Sequence, residues 1–326
     1  MSDQTIGLLV MAYGTPERPD QIEAYYTHIR HGRKPSEPAL QNLIARYRTI
    51  GGVSPLAEIT RAQGERLTEK LNRTVTGKKF KLYLGMKHTA PFIEDAVSQM
   101  AGDGVKEAIG LILAPHYSDY SVRLYMDRAQ AAAQAYDGLK IHMIDDWYDE
   151  PSFIAFWARQ IRKELDKIGD LSKTAVIFSA HSLPVKIIQN GDPYPGQVKE
   201  TAQLIADALH LKRFAVGWQS AGRTGEPWIG PDVRELTRQF YHESGCTAFV
   251  YCPIGFIADH LEVLYDNDQV CRQLTEELGA AYYRPAMPNA DPQFIACLAT
   301  IVARRAVQLD REDKAPARNQ ATIHSA

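Results

Sequence analysis

Between Tyr251 and Asp268 the chain reads YCPIGFIADHLEVLYDND: the end of an apolar strand, a glycine turn and an acidic segment. As a helix over 258–268, at 100° per residue, this segment places Asp259, Glu262 and Asp266 within a stripe of about 60°. Three carboxylates on one face repel and raise one another's pKa unless a cation, a proton or a histidine offsets them. Most acidic helix faces are simply solvated. This one directly follows the apolar run 247–253, and ligands of open α/β sheets bind at the carboxyl ends of strands. A second strand end, Ser179-Ala180-His181-Ser182-Leu183-Pro184, supplies an imidazole in the half expected to face the acidic stripe. A histidine across from Glu262 makes a proton-handling pair, the ring taking a proton and the carboxylate stabilising or relaying it. Ser179 and Ser182 flank the histidine, but the chain has no G-x-S-x-G elbow, which excludes the familiar serine hydrolase arrangement.

The turn after the first apolar run, Met11-Ala12-Tyr13-Gly14-Thr15-Pro16, puts a phenol at the corresponding place in the first half. A phenol oxygen there packs locally or lies over a metal, as in some haem sites. The turn lacks G-x-G-x-x-G spacing, so no dinucleotide is implied. Basic and hydroxyl groups gather nearby: Arg30, His31, Arg33 and Lys34, then Arg46 and Tyr47, then Ser54 in Ile50-Gly51-Gly52-Val53-Ser54-Pro55. They fit either a basic surface turn or carboxylate recognition, for which a guanidinium offers a bidentate fork. Lys87-His88 ends another apolar run at the same sheet edge. Tyr26, Tyr117, Tyr120, Tyr125 and Trp228 suit either a core or a large flat ligand.

Positioning these groups requires strands. Eight short apolar runs, 6–12, 79–86, 107–114, 140–144, 174–180, 213–218, 247–252 and 280–284, alternate with amphipathic segments. That is the pattern of βαβ units and parallel sheets. Helices are expected over 19–30, 38–50, 55–72, 91–100, 121–136, 151–168, 195–208, 231–243, 258–278 and 292–309, several opening on proline. The halves resemble each other: GLLVMAYGTP (7–16) matches AVIFSAHSLP (175–184), GLILAPHYSDYSVRLYMD (110–127) matches TAFVYCPIGFIADHLEVLYD (247–266), and WYDEPSFIAFWARQI (147–161) matches MPNADPQFIACLATI (287–301). Duplication of a four-stranded unit follows, with a cleft between the copies and a boundary near Trp147–Pro151. The expected division is 1–148, 149–309 and a polar tail over 310–326.

At 326 residues the chain buries cores of ordinary size without needing a metal or disulfides. Its net charge of -2 argues against nucleic acid or an acidic membrane surface as the main partner. The N-terminal apolar run lacks the basic flank and cleavage pattern of a signal peptide, and no run approaches the roughly 20 apolar residues of a membrane span. Cys246, Cys252, Cys271 and Cys297 show no ligand spacing and read as reduced thiols. A cytoplasmic monomer without stable membrane insertion is the expectation.

AYGTP (12–16), YRTIGGVSPL (47–56), GMKHTAPFIEDAV (85–97), LAPHYSDYSV (113–122), SAHSLP (179–184), VGWQS (216–220), WIGPDV (228–233) and FIADHLEVLYDND (256–268) together resemble ferrochelatase. The resemblance covers roughly residues 5–309 and is nearest to the soluble Gram-positive type that metallates coproporphyrin III. It implies two similar Rossmann-like domains, each with a four-stranded parallel sheet flanked by helices, around a cleft. It implies insertion of Fe(II) into coproporphyrin III in haem biosynthesis, with protoporphyrin IX or sirohydrochlorin as rival substrates and a non-catalytic porphyrin or haem carrier as the rival class. By resemblance His181 and Glu262 are the catalytic pair and also meet the metal. Tyr13 lies on the opposite porphyrin face near the metal, where protoporphyrin enzymes commonly have Met. Arg30, Arg46, Ser54 and Tyr125 hold propionates, with Tyr47 beside them, and Lys87 lines the pocket. Asp266 belongs to an outer acidic metal site, where this chain departs from relatives in carrying Val270 in place of Glu. Fe(II) is then a substrate, no cofactor is tightly bound, the absence of a C-terminal cysteine cluster implies no iron–sulfur cluster, and contact with neighbouring haem-pathway enzymes is transient.

Overall fold

The structure, a computed structural model, describes residues 4–222 and 225–312. All eight apolar runs are strands, with ends shifted by a residue or two. In the first half β1 (Gln4–Ala12), β2 (Lys78–Met86), β3 (Glu107–Ile112) and β4 (Lys140–Ile144) form one parallel sheet in the order β2-β1-β3-β4. In the second, β5 (Thr174–His181), β6 (Phe214–Gln219), β7 (Ala248–Cys252) and β8 (Ala281–Tyr283) repeat the arrangement as β6-β5-β7-β8. The inner strands β1 and β5 are covered on both faces, which is why they read as unbroken apolar runs rather than alternating ones.

Helices cover the sheets: α1 (Ile22–Ile29), α2 (Glu37–Thr49), α3 (Leu56–Thr74), α4 (Ile93–Gly102), α5 (Val122–Ala133), α6 (Pro151–Leu165), α7 (Lys186–Gln189), α8 (Tyr194–Leu209), α9 (Val233–Ser244), α10 (Arg272–Glu277) and α11 (Pro292–Glu312). Proline opens α2, α6 and α8, where its missing N–H costs no intrahelical bond. Three details differ from expectation. The single turn α7 is too short for periodicity to reveal. The helix expected over 258–278 begins at Leu261, and Glu262–Cys271 is a π-helix. Helix α11 runs past Leu309 to Glu312, with Asp310 paired to Lys78 at 2.6 Å; residues 313–326 of the expected tail lie outside the described residues.

The matched segments α6 and α11 are exchanged between the halves. Helix α6 follows the last strand of the first sheet but packs on α8 and β7 of the second. Helix α11 follows the last strand of the second sheet but packs on α3 and β3 of the first, and the two helices also pack on each other. Trp147, Phe153, Phe156 and Phe294 cluster where they meet, with ring centroids 5.0 Å apart for Trp147–Phe153 and 5.9 Å for Phe156–Phe294. One apolar core therefore runs from Ile109 and Leu111 in the first sheet to Val250 in the second. Among the described residues, no helix is long and apolar enough to cross a membrane. All four cysteines are buried and unpaired.

The exchange holds the carboxyl ends of both sheets in fixed relation. Tyr13 follows β1, Lys87 follows β2, His181 ends β5 and Gln219 ends β6. The turn after β7 presses closely on β5: a Cβ at Gly255 would lie 2.5 Å from Ala180 Cβ and 2.8 Å from Ala180 Cα, with backbone unable to yield. Gly255→Ala is expected to destabilise the fold by about 1–3 kcal/mol in urea unfolding. An unchanged midpoint and slope would show that this approach can relax.

Candidate active site

The site grows from two adjacent strand ends of the second sheet. Strand β5 delivers His181, and β7, its neighbour in the sheet, leads through the Gly255 turn into the π-helix that begins at Glu262. His181 Nε2 lies 3.4 Å from Glu262 Oε1, each side chain 32 % exposed. The expectation that they face each other across the cleft is thus corrected: both belong to the second half, brought together by the β5–β7 pairing. Asp259 leaves the predicted stripe as well. It precedes the helix, where Asn289 Nδ2 donates to it at 2.7 Å and Arg284 pairs with it at 3.2 Å.

A short polar chain fixes the start of the π-helix. Ser179 Oγ donates to Gln219 Oε1 at 2.7 Å, and Gln219 Nε2 donates to the Glu262 carbonyl at 3.1 Å and to Asn267 Oδ1 at 3.2 Å. Buried hydrogen bonds of this kind hold the Glu262 backbone against β5 and β6. They also explain Ser179, whose hydroxyl serves position rather than nucleophilic attack.

His181 Nδ1 contacts the Ser182 carbonyl, an acceptor only, so this nitrogen carries hydrogen and Nε2 faces the carboxylate. The same geometry recurs at His260, which sequence reasoning missed. Its Nδ1 donates to the Ala258 carbonyl at 3.0 Å, and its Nε2 lies 3.6 Å from Glu262 Oε2. Each oxygen of Glu262 therefore meets its own imidazole. Burial, the largest influence on His181, disfavours its charge, but Glu262, the Ser182 carbonyl and Asp266 together outweigh it and move His181 up to about 9. Burial likewise works against a charged Glu262, yet His181 and His260 hold it well below the usual carboxylate range. The pair rests as imidazolium and carboxylate, a charged couple at the edge of the cleft.

The first half supplies the opposite wall. Tyr13 is 42 % exposed, and Gly14, with φ of 85° and Thr89 Oγ1 occupying the space where a Cβ would stand, turns the chain sharply behind it. Although the residue is open to the cleft, desolvation by the surrounding walls first, then Glu262 and Tyr47, keep the Tyr13 phenol protonated. The Tyr13 ring lies 4.5 Å from His88 and 6.0 Å from Lys87 Nζ, which is also 5.2 Å from the Tyr125 ring. Burial and then Arg128 lower Lys87 to about 8, and burial keeps His88 neutral, down to about 3. Arg128 donates to the Lys87 carbonyl at 2.8 Å and pairs with Glu94 at 2.6 Å, steadying that strand end.

The expected carboxylate binders are distributed unevenly. Tyr47 is buried, 3.3 Å from Thr15 Oγ1, and pushed up to about 12 by burial. Tyr125 is buried and stays protonated for the same reason. Ser54 Oγ accepts from the Leu56 N–H at the start of α3, and Arg30, at the end of α1, lies over Tyr26 at 5.7 Å. Arg46 instead approaches Asp266 to 3.9 Å and stacks over Tyr265 at 5.0 Å, so residues expected to serve different ligands face each other. Asp266 also accepts a hydrogen bond from Ser220. Among the described residues no three His, Cys, Asp or Glu side chains stand open as a ready cage for an ion.

Two sheets of identical strand order meeting at such a cleft define the chelatase fold. The chain superposes on the Bacillus subtilis sirohydrochlorin chelatase solved with cobalt at a TM-score of 0.56, with 10% identity, covering 95% of this chain and 98% of that one. A Bacillus subtilis structure of the same chelatase with Fe3+ gives 0.59 at 11% identity, with the same coverage. Within that fold the chain belongs to the ferrochelatase family, whose model matches residues 5–306. It is 57% identical to a coproporphyrin III ferrochelatase 2 of Bacillus cereus over 96% of this chain and 98% of that protein. It is 58% identical to coproporphyrin III ferrochelatase of Geobacillus kaustophilus over 94% and 97% respectively.

The raised His181 contributes to folding most fully below its ordinary value of 6.5, and that contribution is lost as pH rises through about 9. An NMR titration of the His181 C2 proton should therefore show a midpoint near 9 that falls toward 6.5 in Glu262→Gln. A native midpoint at or below 6.5 would contradict the pairing.

Proposed function

We propose that this ferrochelatase inserts Fe(II) into coproporphyrin III in haem biosynthesis, giving iron coproporphyrin and two protons. The observation that carries the catalytic reading is the 3.4 Å contact of His181 with Glu262, opposite Tyr13 at the other sheet's edge. The substrate reading rests on the names of the similar Bacillus and Geobacillus proteins. The two pyrrole N–H bonds break as two Fe–N bonds form in their place, so the enzyme must move two protons away from a ring that becomes a dianion. The pair already holds one proton at rest, on His181, so His181 Nε2 takes a pyrrole proton only as its own passes to Glu262, and this relay runs once for each proton. His260, on the second carboxylate oxygen and just before the π-helix, gives Glu262 an outlet away from the ring.

A planar macrocycle directs its nitrogen lone pairs inward, and bending it turns them toward the incoming ion. Binding energy from the carboxylates, remote from the reacting centre, offsets that strain. Arg30, Arg46, Ser54, Tyr47 and Tyr125 are assigned to hold those carboxylates, with Lys87 as a positive group in the wall. Tyr13, neutral because its environment disfavours the phenolate, presents an oxygen to the opposite face of the ring without binding the metal as a strong anion. Asp266, one turn outward from Glu262, meets the incoming metal. The protein acts as a cytoplasmic monomer, with Fe(II) and coproporphyrin III as its substrates.

Native protein should turn over many times with Fe(II) and coproporphyrin III, and faster than with protoporphyrin IX or sirohydrochlorin. His181→Ala should lose about 10²–10⁴-fold in insertion rate while porphyrin affinity stays within a few fold. Stoichiometric binding without turnover would instead mark a carrier, and near-native insertion by His181→Ala would remove the base from its assigned role.

A further inference from the structure

Arg46 is the residue whose surroundings fit neither of its neighbours' needs. It projects from α2 in the first half and meets the π-helix of the second, so it spans the cleft. Its approach to Asp266 Oδ1, 3.9 Å, exceeds hydrogen-bond length, and its Nε is buried with no hydrogen-bond partner. The ring of Tyr265 beneath it supplies the other contact, at 5.0 Å. Among the described residues the guanidinium meets a long ion pair and a ring face, which leaves it poorly satisfied. A bidentate carboxylate would bind it with two short, charge-assisted bonds.

Asp266 is incompletely satisfied too. Ser220 donates to Oδ2, and among the described residues Oδ1 has the distant Arg46. Glu262 lies four residues inward on the same helix, beyond which stands His181.

We propose that Arg46 is an exchangeable partner: a substrate carboxylate takes its guanidinium away from Asp266, and the freed Asp266 becomes the outer landing point for the divalent metal. Porphyrin binding thereby opens the metal path, so the second substrate is admitted once the first is in place. The exchange involves no covalent step. It trades one long ion pair for a bidentate pair and leaves a carboxylate free for a cation. This coupling rests on the chelatase reading above and specifies the order in which that site fills.

Thermodynamic linkage tests it. The probe is Zn(II), its affinity measured by competition with a chromophoric chelator, alone and with iron(III) coproporphyrin, which keeps the four carboxylates and has its ring centre already filled. Iron(III) coproporphyrin should tighten Zn(II) binding about 5-fold or more, and its tetramethyl ester should not. In Arg46→Gln, Zn(II) should already bind at the tighter level, with the porphyrin adding less than about 2-fold. Arg46→Lys, which keeps the charge but loses the fork, should retain part of the linkage, and Asp266→Asn should abolish it. Absence of linkage in the native protein, or full linkage in Arg46→Gln, overturns the exchange. Turnover of the same preparation with Fe(II) and coproporphyrin III separates the failures. Turnover without linkage overturns the exchange alone, whereas absence of turnover overturns the chelatase reading with it.

Discussion

The rest of the site depends on keeping an imidazole and a carboxylate, charged and in contact, at the edge of a sheet. Such a pair is costly to desolvate and persists only where its remaining atoms are satisfied. Here the Ser182 carbonyl takes one side of His181, His260 takes the second oxygen of Glu262, and Gln219 holds the Glu262 backbone. Each partner belongs to a different strand end or turn. The parallel β6-β5-β7 order is what gathers them, and the close approach at Gly255 lets the β7 turn reach β5.

The opposite wall must be held at a constant distance if a flat ligand is to be gripped from both faces. The exchange of α6 and α11 supplies that constraint. Because each helix packs on the sheet of the other half, the halves share one core and cannot separate without exposing Trp147, Phe153, Phe156 and Phe294. Buried aromatic side chains of this size are among the largest apolar contributions in a domain. The Tyr13 wall is thereby kept in register with the His181 wall. Arg46 reaches across the cleft to Asp266 at 3.9 Å and to the Tyr265 ring at 5.0 Å.

The strands are legible because inner parallel strands are apolar on both faces, and Ile6–Ala12 and Thr174–Ala180 have no other reading. Duplication is legible because matched turns carry matched punctuation, as in AYGTP and SAHSLP. The relative placement of His181 and Glu262 is not, because strand adjacency is a property of topology: β5 and β7 are far apart in the chain and side by side in the sheet. The π-helix also escapes notice, since a widened turn uses the same residue types as an α-helix, and Asp259 falls outside the stripe because the helix begins only at Leu261. His260 has a visible signal in its His-x-Glu spacing to Glu262, but a lone histidine carries little weight without its carbonyl partner. The Arg46–Asp266 approach is hidden because carboxylate recognition and metal entry assign the two residues to different substrates.

The His181–Glu262 pair is assigned to relay the pyrrole protons away as the metal enters. A single-turnover experiment that follows proton release with an indicator dye alongside porphyrin absorbance tests it most directly. Two protons should appear per metal inserted, with Glu262→Gln slowing proton release and insertion together while porphyrin still binds. Insertion at the native rate in Glu262→Gln, with protons released on schedule, would contradict it.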